Sequence, residues 1–540
     1  MKQPNIKRIL AILLCVCMLA VSGCNGDSDT SDGTVNSFAD FQKPGESTTS
    51  TSAVSTDGVD DTTAEGNQTG TTTAPTKGTG SKTNATTTTT KSPTTTTTKN
   101  PYLDPSVQTA TNVNLAKGKT LKAGGKAVAA FTDENTTKAA FSGKNGQKAT
   151  FELDLGKQCT FNEIWLYEST DNQVSEHSIY IQKGSKWVLI YKQDEIGSYR
   201  ICSFPAVTAQ KIKMEVTATR GAYTLTEMKV VNAGTRKAND FRVFSYITGW
   251  ESLTYYGPDD MTENFAKSTD YIYIGDVTWN KDSELVYGGT LSSEAEFDEK
   301  VANIQSCIKK TGKNIRLWIT IGPSQEDTVG TLQGARKEKL IKNLVAFAEK
   351  HKLAGLDFDW EYPNGTEQWH IYSEFLVDIK AALAKKGMKL SIALSPWGVQ
   401  LTTEATAAVD YVQTMLYDSP DNTGNHASYN MVRNNIQYFL KLGFKRSQIN
   451  MGLAFYGKKG GNQTGYSLVY ALGVERWDNV CSDGSINFNG CQMIRDKTVL
   501  ALYEELAGVM VWHYGCDVTE SETGMSLFGE VCDVREQYLR

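Results

Sequence analysis

Eight short apolar runs recur between residues 242 and 513, and longer stretches with helical periodicity separate them. In chain order the runs are RVFSYI (242–247), YIYIGD (271–276), NIRLWIT (314–320), GLDFDWE (355–361), KLSIAL (389–394), YVQTMLY (411–417), INMGLAF (449–455) and GVMVWH (508–513). Between the second and third runs, Phe297, Val301, Ile304 and Ile308 have the spacing of an amphipathic helix. Eight strands that alternate with helices are typical of a (β/α)8 TIM barrel, which we predict over residues 240–540.

The fourth run carries three acids at alternate positions. On a strand, Asp357, Asp359 and Glu361 share one face, and Phe358 and Trp360 share the other. In a half-exposed antiparallel strand, the three acids would face water. In a parallel barrel neither face of a strand is exposed to water, so the acids would lie inside the barrel. Because barrel active sites lie at the C-terminal ends of strands, Glu361 would lie at the rim, with Asp359 and Asp357 deeper in steps of about 6.6 Å.

Stacked carboxyl groups in a closed interior raise one another's proton affinity. That effect keeps a general acid protonated near neutral pH, so the spacing makes Glu361 and Asp359 candidates for acid–base catalysis. Asp357, the deepest of the three, fits a catalytic role and a structural core role equally well.

A different pattern occupies residues 111–234, where short alternating runs are separated by turn residues. In TFELDLG, for example, Phe151, Leu153 and Leu155 share one face. Many short strands with few helical stretches predict an all-β sandwich.

The sequence of the N-terminal region predicts that the protein is exported and tethered to a membrane. Residues 1–23 combine Lys2, Lys7 and Arg8 with an apolar run too short to span a bilayer comfortably, as signal peptides do. VSGC (21–24) resembles a bacterial lipobox, which implies lipidation of Cys24; an ordinary signal peptide with a chance cysteine is the alternative. Residues 24–110, rich in Thr and Ser, cannot bury enough apolar surface to fold, so we predict a disordered stalk.

The net charge and the spacing of possible metal ligands limit the partners and cofactors that we predict. A formal net charge of −6 argues against nucleic acid as the main partner. The five histidines and the cysteines show no ligand spacing, so we predict no catalytic metal. Cys481 with Cys491, and Cys516 with Cys532, are close enough in sequence for disulfides, and free core thiols are an equally good interpretation.

The acidic run also carries a family resemblance. GLDFDWEYP (355–363) closely resembles the DGxDxDxE signature of the family 18 glycoside hydrolases, which include chitinases and endo-β-N-acetylglucosaminidases. QTMLYD (413–418) is similar to the family's QxMxYD, and GLAFYGK (452–458) to its GxPFYG. Trp512, in GVMVWHYGCD, stands where the family has its strand-eight tryptophan. The resemblance spans the predicted barrel and implies a glycosidase.

The resemblance implies substrate-assisted catalysis with retention of configuration. Glu361 would protonate the glycosidic oxygen, and the substrate's own 2-acetamido oxygen would attack the anomeric carbon, an exception to the two-carboxylate scheme. Asp359 would orient the acetamido N–H, and Asp357 would tune Asp359. Tyr417 would hold the acetamido oxygen, with Asp418 assisting at the same sugar.

Four further residues are expected to bind substrate. The resemblance implies that Trp512 forms the floor beneath the reacting sugar and that Tyr246 lies on the first strand, where the family often has an aromatic residue. Met415 belongs to the QTMLYD motif, and Trp397 is a candidate for a sugar subsite.

Two positions depart from the family pattern. Ala354 replaces the first acid of the signature, and it is out of phase with Asp357 on the two-residue period. TIGP (320–323) replaces SxGG on strand three, so that Thr320 keeps a hydroxyl and Pro323 alters the loop. We expect both to affect efficiency more than mechanism.

The all-β segment resembles the discoidin-like (coagulation factor 5/8 type C) domain, a galactose-binding-like sandwich, through runs such as FTDENTTKAAF (131–141) and YTLTEMKVVN (223–232). Bacterial members are often carbohydrate-binding modules of glycosidases, and their loop tips bind ligand. Here Glu168, Trp187, Arg220 and Tyr223 are candidates, although each could equally be packing or ordinary surface. The family often holds a structural calcium ion, for which Asp133 marks a position.

These expectations describe a monomeric enzyme, lipid-anchored at the extracellular face of a bacterial membrane or secreted. Its substrate would be chitin or chito-oligosaccharides, cleaved at β-1,4 bonds after N-acetylglucosamine. One alternative is an endo-β-N-acetylglucosaminidase that acts on N-glycans. The other is a non-catalytic lectin-like barrel, since fold alone does not guarantee activity.

Overall fold

A computed structural model describes residues 113–170, 172–235, 240–248, 265–288, 291, 293–324, 326–418, 426–518 and 523–539. The predicted signal peptide, Cys24 and the predicted stalk (24–110) lie outside the described residues. None of the helices that the structure describes is both long and apolar enough to cross a bilayer.

Residues 113–235, called the β-domain below, form eight strands in one antiparallel sheet. The strands are β1 (Leu121–Ala123), β2 (Lys126–Ala127), β3 (Phe141–Gly143), β4 (Ala149–Glu168), β5 (Val174–Lys183), β6 (Lys186–Gln193), β7 (Arg200–Thr219) and β8 (Tyr223–Val231). The sheet is continuous because β4 and β7 are twenty residues long and pair with neighbours along both halves. Phe151, Leu153 and Leu155 are buried in a core that the β-domain has to itself.

From residue 242 the chain forms a closed barrel of eight parallel strands. The barrel strands are β9 (Arg242–Thr248), β10 (Asp270–Trp279), β12 (Arg316–Ile321), β13 (Gly355–Phe358), β14 (Lys389–Leu394), β15 (Tyr411–Thr414), β16 (Ile449–Ala454) and β19 (Gly508–Trp512). Three short strands lie outside it: β11 (Leu285–Tyr287), β17 (Tyr456–Lys459) and β18 (Asn462–Gly465). The barrel closes because β9 pairs with both β10 and β19, which fits the predicted TIM barrel.

Helices follow most barrel strands. They are α1 (Glu294–Lys310), α2 (Thr328–Thr331), α3 (Gly334–Lys350), α4 (Gly365–Ala384), α5 (Thr403–Ala408), α6 (Tyr429–Lys441), α7 (Tyr466–Tyr470), α8 (Cys491–Tyr503) and α9 (Leu527–Tyr538). In α1 the predicted stripe of Phe297, Val301 and Ile304 is buried, and the Ser293 hydroxyl accepts a hydrogen bond from the Glu296 N–H at the N-terminus.

The acidic strand ends earlier than its sequence pattern predicts. Strand β13 stops at Phe358, so Asp359 and Glu361 lie just beyond it, at the C-terminal mouth of the barrel. The Asp359 N–H still donates to the Ile321 carbonyl at 3.3 Å, whereas Trp360 packs outward against Tyr372 at 5.2 Å between ring centroids. The chain therefore leaves the strand where its acids reach the cleft.

All seven described cysteines are free thiols, so neither of the two disulfides that the sequence spacing allows is formed. The β-domain and the barrel belong to one compact unit, residues 93–540. Trp165, Tyr167 and Ile201 of the β-domain are buried in the same apolar cluster as the barrel core.

Candidate active site

Asp357 is fully buried inside the barrel and held by hydroxyl groups. Its Oδ2 accepts hydrogen bonds from the Tyr246 hydroxyl at 2.8 Å and the Thr320 hydroxyl at 3.0 Å. Thr320 and Ser391 are its register partners on the two neighbouring strands. Burial raises the pKa of Asp357, and hydrogen bonds from Ser391, Tyr246 and Thr320 oppose that rise.

Asp359 lies above Asp357 and lines the cleft. Burial raises its pKa well above the ordinary value, and the carboxylates of Glu361 and Asp357 raise it further. Its Oδ1 has no hydrogen-bond partner among the described residues. Asp359 therefore lines the cleft as a buried acid with a raised pKa and one oxygen that has no partner among the described residues.

Glu361 is exposed at the rim, and a tyrosine holds its carboxylate. The Tyr362 hydroxyl donates to Glu361 Oε2 at 2.7 Å and pairs with the Ser395 hydroxyl at 2.8 Å. The exposed ring of Trp397 meets the Tyr362 ring edge-on, with centroids 6.5 Å apart. The acid thus stands beside two exposed aromatic rings, to which sugars bind well.

Asp418 lines the same cleft just beyond β15, and neighbouring groups stabilise its anionic form. Lys458 forms an ion pair with it at 2.8 Å, the Tyr456 hydroxyl donates to it, and His426 lies 3.4 Å away. Burial opposes ionisation, but the contact with His426, the ion pair with Lys458 and the hydrogen bond from Tyr456 outweigh burial and lower the pKa of Asp418 to about 2. The neighbouring Tyr417 is buried, and among the described residues its hydroxyl has a weak acceptor, Met510 Sδ at 3.9 Å.

The floor of the cleft is aromatic. Trp512, at the end of β19, packs edge-on against Tyr246 with centroids 5.4 Å apart. The cleft has a volume of about 270 Å³, close to the lower end of the range for small-molecule sites. Its lining consists of Tyr246, Asp359, Glu361, Tyr362, Ala393, Ser395, Trp397, Met415, Tyr417, Asp418, Tyr456, Gln463, Met510 and Trp512.

The structure brings together eight of the nine predicted catalytic and substrate-binding residues in this cleft. They are Glu361, Asp359, Tyr417, Asp418, Trp512, Tyr246, Met415 and Trp397. The ninth, Asp357, lies below the floor and reaches the cleft only through Tyr246 and Asp359. Cys24 lies outside the described residues.

Sequence reasoning missed several residues that shape the site. Tyr362 and Tyr456 lie within the quoted motifs, directly after Glu361 and in GLAFYGK, and could have been found there. Gln463 lies on the short strand β18, and Ser395 and the Asp418 partner His426 lie outside the named helices and strands. Nothing in the sequence marks any of the three.

The two departures from the family pattern lie at different distances from the cleft. Ala354 precedes β13, at the end of the barrel away from the rim, and exchanges only backbone hydrogen bonds with Leu317 and Lys389. Thr320 supplies the hydroxyl that reaches Asp357. The Pro323 carbonyl accepts a hydrogen bond from the Thr278 hydroxyl, and Pro323 does not line the cleft.

Two of the four loop candidates in the β-domain, Glu168 and Tyr223, are buried. Glu168 is buried and accepts hydrogen bonds from the backbone N–H groups of Gln173 and Val174. Tyr223 is buried, and its hydroxyl donates to the Gln147 carbonyl. Both side chains therefore have contacts within the β-domain itself.

A buried carboxylate in the β-domain is relevant to metal binding. Glu227 is fully buried, without a well-formed hydrogen bond to any described residue. Burial raises its pKa to about 8; Lys229 and the Glu134 N–H oppose the rise, and the carboxylates of Asp133 and Glu134 add to it. Across the described ranges, no three His, Cys, Asp or Glu side chains form a metal-binding group. Because calcium also takes backbone oxygens, Glu227 beside Asp133 still fits such an ion.

Comparisons with known proteins agree on the barrel. Residues 242–517, just over half of the chain, match the family described as Glycosyl hydrolases family 18. "Probable chitinase 10" of Drosophila melanogaster is 23% identical over 364 residues, which are 52% of this chain and 15% of that protein. "Probable chitinase LysM11" of Penicillium expansum is 25% identical over 214 residues, 32% of this chain and 19% of that protein. The chain therefore spans less than a fifth of the length of these two curated relatives.

Solved structures with a similar barrel include two bacterial chitinases. The chitinase ChiB of Flavobacterium johnsoniae superposes with a TM-score of 0.45 at 20% identity, over 54% of this chain and 93% of that one. A chitinase from Bacteroides thetaiotaomicron gives 0.46 at 20% identity, over 55% and 96%.

Proposed function

The chain belongs to glycosyl hydrolase family 18 and is a glycosidase, and we propose that it cleaves β-1,4 bonds after N-acetylglucosamine in chitin or chito-oligosaccharides. The observation that carries the proposal is the vertical series of carboxyl groups, in which Asp357 and Asp359 stand beneath Glu361 at the barrel mouth. A general acid at the rim with a protonated acid below it suits cleavage of a glycosidic bond.

We also propose that the substrate supplies the nucleophile. The carboxyl groups that line the described cleft are those of Asp359, Glu361 and Asp418. Asp359 carries a raised pKa, so its neutral form is a poor nucleophile, and Asp418 is engaged by Lys458 and Tyr456. A neighbouring 2-acetamido group can attack the anomeric carbon without help from a protein nucleophile.

The proposed reaction assigns one task to each group. Glu361 donates its proton to the glycosidic oxygen as the acetamido oxygen bonds to the anomeric carbon, and the leaving sugar departs. Tyr417, whose hydroxyl has only a weak acceptor nearby, donates to the acetamido oxygen. Asp359 accepts from the acetamido N–H with its free oxygen. Water then attacks the anomeric carbon as its bond to the acetamido oxygen breaks, Glu361 takes the water's proton, and the original configuration is retained.

The proposed substrate class rests on the cleft surface and the relatives. Trp512 gives an apolar floor, and Tyr362 with Trp397 offers exposed rings on the leaving-group side, next to the acid. Aromatic faces of this kind suit a chain of pyranose rings. Several relatives carry the name chitinase, which favours an N-acetylglucosamine polymer.

The test is a product profile by mass spectrometry. Protein that lacks residues 1–92 would be incubated with N-acetylglucosamine oligomers and, separately, with a high-mannose glycoprotein, beside a Glu361→Gln control. We expect shortened oligomers with the unmodified protein and none with the control. Released glycans that leave one N-acetylglucosamine on the protein would instead identify an endo-β-N-acetylglucosaminidase. Oligomer binding without cleavage by either protein would identify a lectin.

We further propose that the enzyme acts outside a bacterial cell, tethered by lipid on Cys24, and that the β-domain binds a structural calcium ion beside Glu227. The tether rests on the VSGC sequence, and the calcium on the unpaired buried carboxylate. A Cys24→Ser variant should lose incorporation of labelled fatty acid and enter the medium. Retention of the label by that variant would refute the tether.

A further inference from the structure

The β-domain and the barrel meet through buried polar side chains that bond across the interface. Arg200 and Asp496 are both fully buried, with Nη2 and Oδ2 3.0 Å apart. The Tyr191 hydroxyl donates to the same Oδ2 at 2.5 Å. Gln492, one turn before Asp496 on α8, donates to the Ser203 carbonyl at 2.7 Å. Buried bonds of this kind fix one orientation, because displacing either side leaves a charge unpaired.

One β-domain loop, residues 194–199, reaches the start of helix α6. The Glu195 carboxylate accepts a hydrogen bond from the Asn430 N–H at 2.6 Å. Arg433, one turn later, donates to the Tyr199 carbonyl at 2.6 Å, and its guanidinium lies 4.9 Å from the centre of the Tyr199 ring. A carboxylate at the N-terminus of a helix satisfies a free N–H and favours the helix dipole.

Gly197 shows how closely this loop fits the helix. A Cβ at this position would lie 1.9 Å from Asn430 Oδ1, and the backbone has a φ of +65°. Any side chain here would therefore collide with Asn430 and strain the turn. The loop therefore packs closely against the start of α6.

The residues just before α6 lead back to the cleft. His426 Nε2 accepts a hydrogen bond from the Asp418 N–H at 3.3 Å. Asn489 donates to the His426 carbonyl at 2.9 Å. Lys497, which follows Asp496 on α8, donates to the Ala427 carbonyl and to Asn489. Contacts from the β-domain thus reach this segment by two routes, through the loop and through α8.

Two backbone positions along this path need such support. Asp418 has a φ of +62° and Ala427 a φ of +51°, in the left-handed region that residues other than glycine rarely adopt. Such conformations persist only where the surroundings hold them. The hydrogen bonds at His426 and Ala427 stabilise these two conformations.

We infer that the β-domain is a positioning element of the active site: its loop 194–199 fixes the start of α6 and, through His426, holds Asp418 against the substrate. The inference deepens the proposed function and rests on it only for the contact between Asp418 and a sugar. Glu195 is accordingly a positioning residue, since it contacts the N-terminus of α6 and does not line the cleft.

The test compares Glu195→Ala with Glu195→Gln in the full chain. Alanine removes the acceptor of the Asn430 N–H, whereas glutamine keeps one. We expect kcat/KM on a fluorogenic chito-oligosaccharide to fall about tenfold in Glu195→Ala, since small misplacements far from the chemistry are costly, and to recover in Glu195→Gln. Gly197→Ala, which displaces Asn430, should repeat the loss if Glu195→Ala fails to fold.

Two controls separate positioning from general stability. Tyr503→Phe removes a different interface bond, the 2.7 Å bond to Glu163, and should lower the melting temperature without changing kcat/KM. In an Asp418→Asn background, Glu195→Ala should lower kcat/KM by less than about twofold, because both substitutions act through the Asp418 carboxylate. Additive losses in this cycle would overturn the inference.

Hydrogen exchange gives a readout that needs no substrate. Peptides from residues 426–433 should exchange faster in Glu195→Ala than in wild type or Tyr503→Phe. Unchanged exchange there would overturn the inference even if the enzyme is active. If wild type cleaves no N-acetylglucosamine oligomer, the proposed function fails, and faster exchange would still support the positioning role.

Discussion

Tyr362 connects the proposed general acid to the rim of the cleft. Its hydroxyl donates to Glu361 and pairs with Ser395, and its ring faces Trp397. Both hydroxyls can reverse direction, so the pair can accept from a protonated Glu361 and donate to an ionised one. A side chain that holds the carboxylate in both states suits a group that acts first as acid and then as base.

Replacing Tyr362 by Phe should therefore reduce turnover. A hydrogen bond to a charged group contributes about 1.5–3 kcal/mol, so we expect kcat/KM to fall about ten- to a hundredfold, mostly in kcat. Ser395→Ala should lower kcat/KM by a smaller factor, because the Ser395 hydroxyl acts on Glu361 through Tyr362. Steady-state kinetics on a chito-oligosaccharide, with Tyr287→Phe as a matched variant outside the cleft, would measure this. A larger loss in Ser395→Ala than in Tyr362→Phe would contradict the assignment.

Asp418 makes a second residue-level prediction, which concerns pH. An acid whose pKa falls on folding, here from 3.8 to about 2, stabilises the folded state above pH 4 and loses that contribution as the pH falls toward 2. Asp418→Asn should accordingly lower the melting temperature at pH 6, and the difference from wild type should shrink between pH 4 and pH 2. Thermal scans of both proteins across this range decide it, and a difference that is constant with pH would count against the ion pair with Lys458.

At the scale of elements, the barrel was predictable and the loops were not. Short apolar runs predicted all eight strands, because strands of a parallel barrel are buried on both faces. The end of β13 at Phe358 was not predictable, since Asp359 and Glu361 continue the alternation after the ladder stops. His426 escaped notice for a similar reason: its contact with Asp418 depends on how a loop returns to the strand end, which no local pattern encodes.

The β-domain allows an element-level prediction about calcium. The folded state keeps a proton on Glu227 up to about pH 8, whereas the unfolded chain releases it near 4.5, so stability should fall as the pH rises through this window. A calcium ion on that carboxylate would oppose the fall, and calcium should raise the melting temperature more at pH 8 than at pH 5. Calorimetry with calcium and with chelator tests this, and Glu227→Gln should abolish the response. Equal melting temperatures with and without calcium at pH 8 would exclude the site.

At the scale of the whole molecule, the sequence suggested two independent domains, and the structure joins them. Arg200 and Asp496 are 296 residues apart in the chain, and nothing in the sequence indicates that they pair. Only the folded chain shows that both are fully buried. Long-range pairs of this kind leave no signal in composition or periodicity. Sequence reasoning therefore predicted a β-rich segment and a barrel but not the interface that joins them.

Breaking that pair should affect both domains together. Arg200→Met leaves the Asp496 carboxyl buried without its partner, which costs about 3–5 kcal/mol in the free energy of unfolding. Adding Asp496→Leu should restore part of the loss, since apolar residues can replace a buried pair at little cost. Denaturant unfolding, followed by fluorescence and by circular dichroism, should show one coincident transition in wild type. Two separate transitions, or a loss below about 1 kcal/mol in Arg200→Met, would contradict this account.

The shared apolar cluster also decides how this enzyme can be recombined with others. Trp165 packs edge-on against Tyr503 of the barrel, with centroids 5.0 Å apart, and Tyr167 and Ile201 lie in the same cluster. A chimera that exchanged the barrel alone at residue 240 would expose these side chains to water on one half and their partners on the other. Exposed apolar surface of that kind promotes aggregation. The exchangeable part in protein engineering is therefore the β-domain and barrel together, not the barrel that carries the catalytic groups.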